Sequence, residues 1–268
     1  LPDGRIVGYA YRELRRGEDR LWGFGWGAVH PDYRRQGIGT QLVRATDAQF
    51  IERVSAEDAG DKVIFMQRFL RDTNPDEIAI AVNEGYKELR SSYRMMLPLD
   101  RPFAPVTLPE GFVLRPFDRE RDAEAVFEVD QSSFMDGGGQ PNRQPYDEWA
   151  AYHFKEGFFN PALWLVAMAG DEIAGICINE AWGPEQPDLC WVARLGVLRP
   201  WRGRGLGEAL LRHSFYVIQQ QGYKRAGLGV RADRPGTVAL YQRAGMQIYC
   251  RFIHYRKVLR GNDAEIES

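Results

Sequence analysis

An excess of basic charge, a cysteine framework and long apolar runs are all missing from this chain, and each absence removes a class of function. The formal net charge over 268 residues is -2. No overall positive field therefore draws nucleic acid or an anionic membrane, and a small molecule or peptide is the better expectation for a partner. Cys177, Cys190 and Cys250 are too few and too irregularly spaced for a disulfide framework or a zinc site of paired cysteines. They read as reduced thiols. His30, His153, His213 and His254 show no ligand spacing, so no metal is assigned. No apolar stretch approaches the roughly 20 residues of a membrane-spanning helix, and no basic-then-apolar leader opens the chain. These absences together predict a soluble, cytoplasmic protein.

What is present is an ordinary globular composition, 44% hydrophobic and 27% charged, with length for about two domains. Two segments repeat in register. Val29-His30-Pro31-Asp32-Tyr33-Arg34-Arg35-Gln36-Gly37-Ile38-Gly39-Thr40-Gln41-Leu42 matches Val197-Leu198-Arg199-Pro200-Trp201-Arg202-Gly203-Arg204-Gly205-Leu206-Gly207-Glu208-Ala209-Leu210. Two copies are too few for a solenoid, so the simpler reading is a tandem pair of related domains. The stretch 98–111, with Pro98, Pro102, Pro105 and Pro109, has the composition of a linker between them.

In the second half, hydrophobic periodicity predicts a strand at 112–115, a helix capped by Asp118 and running to about Phe134, and a loop at Gly137-Gly138-Gly139. A helix at 146–155 and strands at 164–168 and 173–179 about a Gly170-Asp171 turn follow. The pattern then gives a strand at 190–197, a helix at 205–221, a strand at 226–230, a helix at 237–243 and closing hairpin strands over 247–258. The first half repeats the later part of this order, with strands at 5–11 and 21–29, a helix at 37–54, a strand at 62–69 and a helix at 77–84. The alternation predicts a mixed α/β sheet. The opening strand and helices of the second domain have no counterpart in the first, and the chain starts at Leu1, in the turn-like Leu1-Pro2-Asp3-Gly4, close to a strand. The N-terminal domain is therefore expected to be truncated.

The chemistry centres on Arg202-Gly203-Arg204-Gly205-Leu206-Gly207, placed after an apolar strand and before a helix whose apolar face holds Leu206, Leu210, Leu211 and Phe215. Glycines there let successive backbone N–H groups converge, and the start of a helix adds its positive dipole end. The turn suits a phosphate or pyrophosphate, with Arg202 and Arg204 as charge-assisted donors. A tight strand-to-helix turn without a ligand is the bland alternative, and the second copy weighs against it. No Gly-x-x-x-x-Gly-Lys-Ser/Thr occurs, and Glu208 stands where a dinucleotide fold wants its third glycine. Nucleotide hydrolysis and dinucleotide redox chemistry are both set aside.

Arg-x-x-Gly-x-Gly, at Arg202 to Gly207 and at Arg34 to Gly39, resembles the coenzyme A pyrophosphate loop of the GNAT acetyltransferase family. Leu240-Tyr241-Gln242-Arg243-Ala244-Gly245-Met246 is similar to the Leu-Tyr-x-x-x-Gly-Phe segment near the end of that fold. The tandem layout is similar to that of the mycothiol synthases, which does not fix the acceptor. The resemblance implies two tandem GNAT-like α/β domains, each a mixed, mostly antiparallel sheet flanked by helices. They are a partial, degenerate domain at 1–97, the linker 98–111 and a complete domain at 112–260. Acetyl-CoA is the implied acyl donor and a small amine the implied acceptor.

By the same resemblance, Leu195, Gly196 and Val197 hold the pantetheine arm by main-chain hydrogen bonds, and Tyr241 protonates the departing thiolate. A phenol with a reference pKa of about 10 suits that role; the other reading of Tyr241 is a half-buried helix aromatic. Two features depart from the family pattern. Arg234 stands where Asn is frequent, and the strand 190–197 has no carboxylate. Glu180 and Asp188 flank the site as candidate bases or as ordinary surface carboxylates, with relayed water or an already neutral amine as further routes.

In the first copy Asn74 holds the Asn position but Ala81 the Tyr position. Val29, Arg34, Arg35, Gln36, Gly37, Ile38 and Gly39 are thus expected to form a ligand loop in a domain that is mainly structural. Acceptor specificity is expected near Phe134, Met135, Asp136 and Gly137 to Gly139, and near Trp149, Tyr152, Phe158 and Phe159, with Asp136 or Glu180 attracting a cationic amine. The rival functions are a non-catalytic acyl-CoA sensor or scaffold, and a peptide or protein N-acetyltransferase.

Overall fold

The computed structural model describes residues 4–17, 19–135, 144–156 and 159–261. Elements run in the order β1 (Gly8–Arg16), β2 (Arg20–Val29), α1 (Ile38–Ser55), β3 (Val63–Arg71), α2 (Pro75–Asn83), β4 (Lys87–Pro98), β5 (Val113–Pro116), α3 (Arg119–Met135), α4 (Tyr146–His153), β6 (Trp164–Ala169), β7 (Glu172–Ala181), β8 (Leu189–Val197), α5 (Leu206–Gln220), β9 (Arg225–Arg231), α6 (Pro235–Arg243) and β10 (Gln247–Arg260). Leu1, Pro2, Asp3, Asp136, Gly137, Gly138, Gly139 and Phe158, all named from the sequence, lie outside the described residues.

Two compact units emerge, and they depart from a linear division at 97 and 111. The first takes the chain up to Ser92, Arg231–Asp233 and the chain from Cys250; the second takes Tyr93–Val230 and Arg234–Tyr249. In the first unit β1 and β2 form an uninterrupted antiparallel hairpin from Gly8↔Val29 to Arg16↔Leu21. β3 runs parallel to β2 over Arg20↔Val63 to Phe24↔Gln67. β10 then pairs antiparallel with β3, Phe252 opposite Arg71 and Val258 opposite Phe65. The closing strand of the first unit thus comes from the far end of the chain. The hairpin expected over 247–258 is instead one long strand. Its residues are apolar enough for a strand, and nothing in them records which sheet it joins.

In the second unit the strand order is β4, β9, β8, β7, β6, β5, with β4 contributing from Tyr93 onward. Its core includes the fully buried Trp149, Phe215, Leu163, Ile176, Ile178, Leu206 and Leu210. Helix α5 places Leu206, Leu210, Leu211 and Phe215 in that core, as the period of the sequence requires. Asp118 caps α3, its Oδ1 accepting from the Arg121 amide at 3.0 Å.

The proline-rich stretch after β4 does not behave as a free linker. Leu99 and Phe112 are buried, Phe103 packs edge-on against Phe215, and the Gln219 amide nitrogen donates to the Leu99 and Arg101 carbonyls. Apolar residues between the prolines strap this segment along α5, which composition alone does not reveal.

Candidate active site

In the second unit β8 and β9 run parallel but pair only from Leu189↔Arg225 to Trp191↔Gly227 among the described residues. β8 continues to Val197, held on its other edge by β7 through Leu195↔Cys177, Gly196↔Ile176 and Val197↔Gly175. The strands therefore fork, and the β9-facing backbone edge of Leu195, Gly196 and Val197 is left without a strand partner. Beside the fork β8 is bulged: Arg194 faces Ile178 and Val192 faces Asn179, so Ala193 is the extra residue. Such a bulge leaves one residue out of the ladder and re-aims its backbone groups.

The turn after β8 is built from left-handed glycines, Gly203 at φ +76° and Gly205 at φ +80°. A Cβ at Gly203 meets no atom within 4 Å; backbone conformation, not space, demands glycine there. Gly205 is the residue before α5 and supplies no side-chain cap, and Ala209 makes the first bond of the helix, to the Gly205 carbonyl. The amides of Gly203 through Glu208 donate to no protein acceptor among the described residues. They form a concavity for an anion at a positive helix end.

The side chains of the loop divide their roles differently from the sequence expectation. Arg202 folds back, its Nε donating to the Val197 carbonyl at 2.8 Å and its Nη2 to the Ser133 carbonyl at 3.3 Å. It clamps the loop to the strand end. Arg204 lies over the Trp201 ring, 5.1 Å from its centroid. Leu206 is buried, so only its amide faces the loop. A Cβ at Gly207 meets Val197 and Leu240 at 3.7 Å and 4.0 Å, ordinary contacts. Gly196 is tighter: α3 presses Ser133 Cβ and Oγ to 2.8 Å from where its Cβ stands.

Tyr241, on α6, packs against the core, and burial with the neighbouring Cys177 thiol pushes its pKa up to about 12. Its phenol stays protonated throughout the neutral range and can act only as a proton donor there. Cys177 and Cys190 are buried free thiols, held protonated by desolvation. Arg234 precedes α6 and makes no side-chain cap.

Of the two candidate bases, Asp188 is held at the start of β8 by a two-pronged ion pair with Arg225, at 2.7 Å and 2.8 Å, and that pair lowers its pKa. Glu180 instead accepts from His153 Nδ1 at 2.6 Å on the face of the sheet that carries α3 and α4. Arg194 reaches the same face, its Nε 3.2 Å from Asp130 and its guanidinium 4.6 Å from the centre of the Phe134 ring. Trp149 is wholly buried and donates to Asp130, Phe159 packs in the same aromatic core, and Tyr152 and Met135 are exposed. Nothing in the sequence singled out His153 or Arg194.

The first unit repeats the loop. Gly37 stands at φ +80° before α1, and Arg34 Nε donates to the Val29 carbonyl at 3.3 Å. Three things differ. Arg35 occupies the left-handed position at φ +58° and pairs with Asp76; Gln36, in place of a second arginine, donates to the Asp32 carbonyl; and a Cβ at Gly39 meets Ile80 at 3.1 Å. Ile38 is half-buried and begins α1. Asn74 caps α2 by accepting from the Glu77 amide, and Ala81 is wholly buried.

Comparison with known proteins gives a consistent picture. Residues 123–246 match the acetyltransferase (GNAT) family and residues 2–86 match an acetyltransferase (GNAT) domain. The mycothiol acetyltransferase of Salinispora arenicola is 31% identical over 262 residues, covering 95% of this chain and 79% of that protein. That of Pseudarthrobacter chlorophenolicus is 30% identical, covering 87% and 70%. A GCN5-related N-acetyltransferase from Sphaerobacter thermophilus superposes with a TM-score of 0.83 at 31% identity, over 97% of this chain and 79% of that one. A tandem GNAT protein from the clavulanic acid pathway shares the fold at 18% identity, with a TM-score of 0.69 over 97% and 81%.

Proposed function

The chain belongs to the GNAT acetyltransferase family, in a tandem arrangement, and from that premise we propose that its second unit transfers an acetyl group from acetyl-CoA to the amine of a small molecule. The observation that carries this is one constellation: a forked strand pair, a bulge at Ala193, a concavity of free amides from Gly203 to Glu208 and a protonated Tyr241, all within one unit. The amide concavity and Arg204 hold the pyrophosphate of the donor, and the open edge of Leu195 to Val197 pairs with its pantetheine arm. Ala193 lends its backbone N–H to the oxyanion that forms when the amine attacks the thioester carbonyl. Tyr241 gives its proton to the departing sulfur. The amine need only be placed near the fork, where effective concentration supplies much of the acceleration.

The relatives named mycothiol acetyltransferases direct acceptor screening toward mycothiol-type amines alongside amino sugars and amino acids. A second reading, a non-catalytic acyl-CoA sensor, is favoured by the lack of any carboxylate on β8. Calorimetric titration with acetyl-CoA and detection of released thiol separate the two. Tight binding with amine-dependent thiol release supports the enzyme, binding without release across the panel supports the sensor, and no binding removes both.

A further inference from the structure

The reaction needs a base for an acceptor that reaches the protein as an ammonium ion, and β8 provides no carboxylate. Ala193 lies between Arg194, opposite Ile178, and Val192, opposite Asn179; the next pair along is Trp191 with Glu180. Glu180 is thus about two residues, roughly 7 Å, from the bulge along the strand direction. It is on the same face as Arg194, since α4 contacts the one and α3 the other.

The environment of Glu180 is specific. Its Oε1 is fixed by the buried His153, whose ring is packed among Trp149, Tyr152 and Trp164. Its Oε2 has no hydrogen-bond partner among the described residues, and the side chain keeps 21% exposure. Tyr152 and His153 face it from α4 and Arg194 from β8, while Asp130 of α3 stands behind His153 and Arg194; the Cys190 thiol, paired opposite Ala181, lies on the other face of the sheet. Tyr152 feels the charges of both Glu180 and Arg194.

We propose that Glu180 takes the proton of the acceptor ammonium through Oε2 and that His153 is its positioning residue, an inference that rests on the acetyltransferase reading above. One N–H proton passes to Glu180 and on to solvent. The freed lone pair bonds to the thioester carbonyl carbon, and the C–S bond breaks as the adduct collapses. A second proton leaves nitrogen at that step and replaces the one that Tyr241 gives to sulfur. Each turnover yields an amide, free coenzyme A and one proton.

The test is Glu180→Gln, which preserves shape and still accepts from His153. D-glucosamine, L-cysteine and L-lysine are assayed as acceptors, with thiol release followed from pH 6 to 9.5. At pH 7 kcat/KM for the acceptor should fall on the order of 100-fold with the Kd for acetyl-CoA unchanged. The deficit should shrink as pH rises, because more amine then arrives already deprotonated. His153→Gln should lose less and shift the acidic limb of the profile, a change that a merely structural role would not produce. A Glu180→Gln deficit constant across pH, or no deficit, overturns the assignment while leaving the acetyltransferase intact. Wild-type protein that binds acetyl-CoA but acetylates neither these three nor a mycothiol-type amine would overturn the underlying reading instead.

Discussion

The two units carry the same loop and differ in what surrounds it. Gly37 and Gly205 have nearly the same backbone angles, φ +80° in each with ψ -6° and -4°. Arg34 and Arg202 make the same bond to the last carbonyl of the preceding strand. Gly8 and Gly175 lie opposite those strand ends, each under a leucine, Leu42 and Leu210. Yet the β1–β2 hairpin is unbroken where β7–β8 is bulged. Phe24 and Phe69 bring their rings to 5.4 Å where the β2–β3 pairing ends, and Ala81 stands in place of Tyr241. The loop is therefore a folding solution as much as a ligand site: an arginine clamp and a left-handed glycine turn a strand into a helix whether or not chemistry follows. The bulge and the phenol are what distinguish the second unit from the first.

The strongest test breaks the loops one at a time. Valine at Gly203 and Gly205 should abolish measurable acetyl-CoA binding in calorimetry, because both need left-handed backbone, whereas valine at Gly37 should leave the affinity of the second unit intact. Loss of binding from Gly37→Val alone would move the site to the first unit. Tyr241→Phe should lower kcat about 100-fold with little change in Kd, and Ala81→Tyr should add no activity because its unit lacks the bulge. Steady-state thiol release reads both.

Stability sharpens the same comparison. Gly196 matches Ala28 in the repeat, but only Gly196 lies under Ser133. Gly196→Ala should cost about 1–3 kcal/mol in chemical denaturation, through overpacking. For pH, His254 of the first unit is half-buried beside Arg90, Arg231 and Arg256, and partial desolvation with those charges brings its pKa down to about 4. The unfolded chain then binds a proton that the folded one refuses, so stability should decline as pH drops from about 6.5 toward 4. His254→Phe should flatten that part of a thermal-midpoint profile. In the second unit Asp122, held far below the usual carboxylate range against the cost of its burial by Arg121, Arg115 and the Asp118 amide, contributes stability that is lost only below about pH 4. The smallest effect belongs to Arg35→Gly: relief of a positive φ, worth about 1 kcal/mol, is offset by loss of an exposed pair with Asp76 worth less than about 1 kcal/mol.

Much of the fold was legible because each segment carries its own period and punctuation. Asp118 caps where its side chain predicts, Gly170 turns the β6–β7 hairpin, and α5 buries the four apolar residues spaced for it. The loop residues were legible for the same reason, since glycines and arginines at fixed offsets state a local conformation. The division of labour among them was not. Arg202 reads as a ligand donor in sequence and folds back as a clamp, because the carbonyl it bonds is supplied by the end of another element.

The sequence by itself determined a duplicated strand–loop–helix, the family it belongs to and the loss of the phenol from the first copy, all matters of short-range pattern. Only the tertiary structure decided that β10 closes the first unit, that the proline-rich segment straps α5, that Ala193 bulges and that His153 holds Glu180. Each of those depends on pairing between residues distant in the chain. A strand's own residues specify that it will pair, while its partner and register are set by the surfaces it meets.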